Sequence, residues 1–182
     1  MTVEWMSCEV PELLKSSPFA FADERGELRK VLSGPFPGQE PFRVDEVFWS
    51  RSHKGTLRGL HVQAPPRAGR KIVLVTSGEA RDFVVDLRVG SPWFGRPWET
   101  SLGRDSGALL IPAGCAHGFE ALTNDATMVY LQEETYDPLC DTGVLWSSAG
   151  IHASTPSPIV SPRDSSLPAI EDFESPFTWV DP

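Results

Sequence analysis

The sequence predicts an all-β sandwich or barrel, and two observations carry that expectation. Between about Phe42 and Gln132, short runs rich in Val, Leu, Ile, Phe and Thr recur between glycine and proline signals, the spacing of a sandwich or barrel. No stretch sustains a helical period; PELLKS (11–16) and RDSSLPAI (163–170) are read as single short helices at most.

The expected strands are, in order, RVDEVFWS (43–50), TLRGLHVQ (56–63), KIVLVTS (71–77), ARDFVVDLR (80–88), WETSLG (98–103), ALLIP (108–112), HGFEAL (117–122) and ATMVYLQE (126–133). In the fourth run Phe83, Val85 and Leu87 share one parity, and Asp82, Asp86 and Arg88 share the other. That is expected of a strand with one packed face. Gly78 in TSGEA marks a hairpin tip. The tail 147–182 is rich in Ser and Pro with little alternation, yet its tryptophan, phenylalanines and Ile170 argue that it packs on something.

At 182 residues the chain is read as one domain, 1–182. No apolar run approaches the roughly 20 residues of a membrane helix, and the start MTVEWMSCEV lacks the pattern of an export signal. The expectation is a cytoplasmic protein with no membrane partner. Cys8, Cys115 and Cys140 form no close pair, which suits free thiols and argues against zinc. Sixteen basic against 25 acidic residues give a formal charge of −9. That balance excludes nucleic acid as a general partner, and an anionic ligand would need a local basic pocket.

The chemistry-bearing residues are scattered. In RGLHVQ (58–63), Arg58 and His61 would lie on opposite faces of a regular strand, so sharing one pocket requires a bulge, least costly at Gly59. His61 is read either as a buried, hydrogen-bonded imidazole or as a general base. His117, in IPAGCAHGF (111–119), is a turn histidine or a donor to a substrate oxygen. Tyr130 is an amphipathic core residue with its hydroxyl at the edge, and Tyr136 a surface aromatic, unless a site recruits them. The four histidines stand singly, with no His-x-His, so no metal is expected. Neither a phosphate-binding glycine loop nor a serine-hydrolase elbow is present.

DERGEL (23–28), RSHKGTLRGLHVQ (51–63), RKIVLVTSGEARDFVVDLRVGSPWFG (70–95), LLIPAGCAHGF (109–119), VYLQEETYDP (129–138), GVLW (143–146) and SPRD (161–164) stand in order over about residues 18 to 168. Together they resemble the dTDP-4-dehydrorhamnose 3,5-epimerase family of nucleotide-sugar epimerases. The resemblance implies a cupin-type β jelly roll, with the few short helices mainly near the C-terminus. It further implies a homodimer with N-terminal strands (about 1–35) exchanged, no metal or other cofactor, and a nucleoside-diphosphate-linked 4-keto-6-deoxyhexose as partner. The activity implied is inversion at C3, C5 or both, in deoxysugar biosynthesis. A non-catalytic sugar-nucleotide-binding cupin and a ketoisomerase are the alternatives.

Position by position, the resemblance makes His61 the base, Asp164 the carboxylate that orients it, Tyr130 the proton donor on the opposite sugar face, and Lys71 the cation beside the C4 oxygen. Arg58 and His117 match sugar or phosphate contacts, and Arg25 a diphosphate contact given across the dimer. Tyr136 matches the aromatic under the nucleobase. Asp141 stands near GVLW where the family usually has Glu, and Arg163 where it often has Lys. Lys30 also replaces a usual Glu, and Glu46, Val47, Phe48 and Trp49 stand where the family commonly shows Gln-Asp-Asn-His. These departures leave the nucleobase and the sugar open. The types nevertheless suit a carbon acid beside a carbonyl, which needs a base on one face, an acid on the other and a positive group at the oxygen.

Overall fold

A computed structural model describes residues 2–181. Its elements are β1 (Glu4–Ser7), β2 (Leu14–Ser17), β3 (Phe19–Asp23), β4 (Gly26–Lys30), β5 (Glu46–Ser52), β6 (Leu57–Gln63), β7 (Lys71–Ser77), β8 (Glu79–Asp86), β9 (Pro97–Gly103), β10 (Leu109–Ile111), β11 (Cys115–Ala121), β12 (Ala126–Gln132), β13 (Asp141–Gly143) and the short helix α1 (Pro162–Ser165). A single 3-10 turn, Ile170–Asp172, follows. PELLKS is not helical. Pro11 and Glu12 form a turn, Glu12 at φ 67°, and the rest enters β2, where Leu14 and Ser16 are buried. A four-residue alternation paired on both sides, with β1 and with β10, outweighs weak helical propensity over so short a stretch.

Two antiparallel sheets face each other, one ordered β1-β2-β10-β7-β12-β5 and the other β13-β6-β11-β8-β9. This is the cupin-type jelly roll, in which folding one sheet over another hides the apolar side of each. Val73 and Val75 of β7, Met128 and Tyr130 of β12, Val84 of β8 and Phe119 of β11 meet in the interior. A second cluster lies on the back of the five-stranded sheet. There Leu60, Val62, Phe83, Val85 and Leu87 are covered by Ile151 and Phe177 of the tail. A third covers the back of the six-stranded sheet, where Leu32, Phe36 and Phe42 pack over Ile72 and Leu110.

β8 therefore has two packed faces rather than one. The apolar parity Phe83, Val85, Leu87 lies beneath the tail, while Asp82 and Asp86 are fully buried. The polar parity is buried as well because its side chains are paired inside: Asp82 meets His117, and Asp86 receives Arg88 and Ser91. A buried charge is tolerated once it is paired and hydrogen-bonded. The hairpin β3–β4 pairs only with itself and leaves Phe21 and Leu28 exposed. By contrast, β1 and β2 join the six-stranded sheet of their own chain through β10.

Candidate active site

The mouth of the barrel opens on a cavity of about 480 Å³, a size suited to a small ligand. β5 and β12 supply one wall, with Glu46, Phe48, Ser50 and Tyr130. The facing wall comes from β6 and β11, with Arg58, His61, Gln63 and His117, and α1 closes it with Arg163 and Asp164.

β6 reaches this arrangement through an irregularity. Its register against β11 shifts between His117↔His61 and Phe119↔Arg58, so three steps along β6 match two along β11. The extra residue is the bulge that sets Arg58 and His61 on one cavity. Gly59 is at φ +109°, and a Cβ there would lie 2.6 Å from the Gly118 Cα and 2.7 Å from the His117 carbonyl. Only glycine fits so close an approach of two backbones.

Asp164 arrives from the tail. Ser161 caps α1, its hydroxyl accepting the Asp164 N–H at 3.0 Å, with Pro162 in the first turn. One Asp164 oxygen lies 2.9 Å from His61 Nε2, and the other accepts the Gly59 N–H at 3.0 Å. Burial alone would raise this carboxyl's pKa. The hydrogen bond from His61, the Gly59 N–H, the charge of His61 and the Ser161 hydroxyl outweigh burial and hold it at about 2. A carboxylate can only accept, so Nε2 carries the proton and Nδ1 is left with the lone pair.

On the opposite wall Tyr130 is 9% exposed. Burial pushes its phenol well above the usual range, against the Ser50 hydroxyl beside it, which pulls the other way. The phenol is thus held protonated. Its ring stacks on Phe48, with centroids 4.5 Å apart and planes 11° from parallel, and meets His117 edge-on at 6.0 Å. Lys71, the first residue of β7, donates to the His61 carbonyl at 3.2 Å. Burial lowers it to about 8, partly offset by the negative charge of Asp141. His117 is buried, its Nε2 2.8 Å from Asp82. Arg58 donates to Ser52 at 3.0 Å and keeps an exposed flank.

Tyr136, Asp141 and Arg163 gather at the mouth. Asp141 accepts the Tyr136 hydroxyl at 3.1 Å and pairs with Arg163. Arg25 is the one expected site residue that the structure does not bring there. It sits at the tip of β3–β4, its side chain 83% exposed and paired with Asp23. Asp82, Ser50 and Ser161 are cavity or supporting residues that the sequence did not place in the site, whereas Phe48 lies in the 46–49 stretch that departs from the family pattern. For Ser161 the signal was present, since Ser-Pro-x-Asp is a helix-cap pattern. For Asp82 there was none, since it shares its parity with Asp86 and Arg88 and reads as part of a polar face.

A family model described as dTDP-4-dehydrorhamnose 3,5-epimerase matches residues 7–172. The chain belongs to that family. Among the relatives of this family member, a dTDP-4-dehydrorhamnose 3,5-epimerase of Sinorhizobium fredii is 38% identical over 183 residues, covering 97% of this chain and 94% of its own. A solved dTDP-6-deoxy-D-glucose-3,5-epimerase of Legionella pneumophila, in complex with dTDP-4-keto-L-rhamnose, superposes with a TM-score of 0.90 at 26% identity, covering 99% of this chain and all of that one. A 3'-monoepimerase of Streptomyces bikiniensis, in complex with dTDP-quinovose, gives 0.84 at 30% identity over 90% of this chain and 86% of that one. The chain is accordingly an isomerase of the epimerase kind, built on the fold its relatives use.

Proposed function

We propose that His61, Tyr130 and Lys71 together epimerise a nucleoside-diphosphate-linked 4-keto-6-deoxyhexose. The observation that carries the proposal is one cavity onto which an imidazole of defined tautomer, a protonated phenol and an ammonium all open.

The ketone at C4 makes the hydrogens on C3 and C5 acidic. His61 Nδ1 takes one of them while Asp164 stabilises the imidazolium that forms, the division of labour of other His-Asp pairs. The electron pair moves to the C4 oxygen, where Lys71 meets the developing charge. Tyr130 then gives its proton to the same carbon from the far side, and the centre is inverted. Phenolate and imidazolium return to their starting forms by exchange with solvent, so the step needs no redox partner or cofactor.

Arg58 and His117 are assigned to the sugar or phosphate, Arg163 and Asp141 to the mouth, and Tyr136 to the face of the base. The basic groups give this acidic molecule the local positive pocket that a diphosphate requires. We assign Arg25 to the site of a second copy in a homodimer. The exchanged element is then the hairpin β3–β4, whose exposed Phe21 and Leu28 have no cover on their own chain. Three free thiols suit a cytoplasmic setting.

Incubation in deuterium oxide with a panel of 4-keto-6-deoxyhexoses, dTDP-linked sugars first, tests the reading by NMR. Deuterium at C3 or C5 with inversion supports it. Binding without exchange would leave a non-catalytic sugar-nucleotide cupin, and a displaced carbonyl would mean a ketoisomerase.

A further inference from the structure

We propose that Phe48 sets the sugar class this cavity accepts, selecting a 4-keto-6-deoxyhexose that also lacks the hydroxyl at C2. The proposal rests on the reading that a 4-keto hexose lies between His61 and Tyr130.

Alternate residues of β5 face the cavity, in the order Glu46, Phe48, Ser50. Register places Phe48 directly opposite Tyr130 across the β5–β12 ladder, and their rings stack. Such a cross-strand aromatic pair holds both rings in place. Yet Phe48 is 39% exposed where Tyr130 is 9% exposed. The surface left over is therefore an apolar patch one ring-stack away from the phenol that delivers the proton.

A sugar carbon within reach of the phenol brings its neighbouring substituent over that patch. Next to C5 this is the C6 methyl, apolar in every 6-deoxyhexose, so discrimination falls on the other side, where C3 adjoins C2. A hydroxyl on C2 pressed against Phe48 gives up water and gains no hydrogen bond from the ring. A methylene there gains contact instead. On β5 itself, one Glu46 oxygen accepts the Tyr136 N–H at 3.0 Å and the Ser50 hydroxyl stands beside the Tyr130 phenol, so the residue presented between them is the apolar ring.

The test compares kcat/KM for a matched pair of nucleoside-diphosphate 4-keto-6-deoxyhexoses, one with a C2 hydroxyl and one 2-deoxy, and the dissociation constants of the same pair. The wild-type chain is expected to favour the 2-deoxy sugar by about 10- to 100-fold, the usual worth of one group against an apolar wall. Phe48→Asn, which restores a hydrogen-bonding side chain, should lower that ratio at least tenfold. Phe48→Leu, apolar but without a ring, should keep the preference. A wild-type ratio at or below one overturns the proposal whatever the variants do, and so does an unchanged ratio in a folded Phe48→Asn. Should the chain bind both sugars and turn over neither, the epimerase reading fails, while the ratio of dissociation constants still decides the role of Phe48.

Discussion

Replacing Lys71 by Met should make the protein more stable and nearly inactive. Burial lowers the Lys71 ammonium from 10.5 to about 8, which at about 1.4 kcal/mol per tenfold change in the proton equilibrium is a folding penalty of about 3 kcal/mol at pH 7. Met removes the charge and keeps the length of the stem, but it forfeits the hydrogen bond to the His61 carbonyl, worth about 1 kcal/mol. The net gain is about 2 kcal/mol. The unfolded chain holds this proton up to about 10.5 and the folded chain only to about 8. Between those values the unfolded state binds more protons, so wild-type stability from this group rises with pH. Urea unfolding of both proteins at pH 7 and pH 10 should show the variant ahead at the lower pH and the gap closed at the higher. Turnover of the 4-keto sugar should fall by about 100-fold or more, because the enolate oxygen has lost its cation. A variant less stable at pH 7, or a gap that does not change with pH, would refute the buried-ammonium account.

Asp164→Asn should lower activity by about 100-fold or more, yet by less than loss of His61, because an amide can present its N–H and leave the imidazole in the wrong tautomer. The folded carboxyl sits at about 2 against an ordinary 3.8, so its stabilising contribution is complete above about pH 4 and lost as the pH falls toward 2. Acid titration of stability should be flatter in the Asn variant through that window. Gly59→Ala should cost at least about 3 kcal/mol by thermal unfolding, since the positive φ and the approach to Gly118 leave no room. An alanine variant as stable as wild type would contradict the close pairing of β6 and β11. Arg25→Ala should raise KM for the nucleotide sugar several-fold and leave kcat nearly unchanged; an unaltered KM would sever the hairpin tip from the site.

Much of the barrel was legible because its strands are punctuated by glycine and proline, and most of the expected runs coincide with strands in the structure. The bulge at Gly59 was legible for a chemical reason: Arg58 and His61 share a cavity only if the period of the strand breaks. Resemblance supplied the roles of Lys71, Tyr130 and Asp164, none of which spacing could assign. Asp164 lies 103 positions from His61, and only the tail's path over the back of the five-stranded sheet joins them. Asp82 was misjudged because alternation reports which side chains differ, not which face is wet; the tail covers the apolar side and His117 satisfies the polar one. Phe48 was seen as a departure from a family pattern, but its stacking on Tyr130 depends on cross-strand register, which one sequence does not display.

The division of roles between His61 and Tyr130 is tested most directly by solvent exchange in two variants, His61→Ala and Tyr130→Phe, each incubated with a turned-over 4-keto sugar in deuterium oxide. Loss of the imidazole should abolish deuterium uptake at C3 and C5, whereas loss of the phenol should leave uptake measurable and inversion suppressed. Exchange that survives without His61, or that disappears equally in both variants, would contradict a base and an acid acting from opposite walls of the cavity.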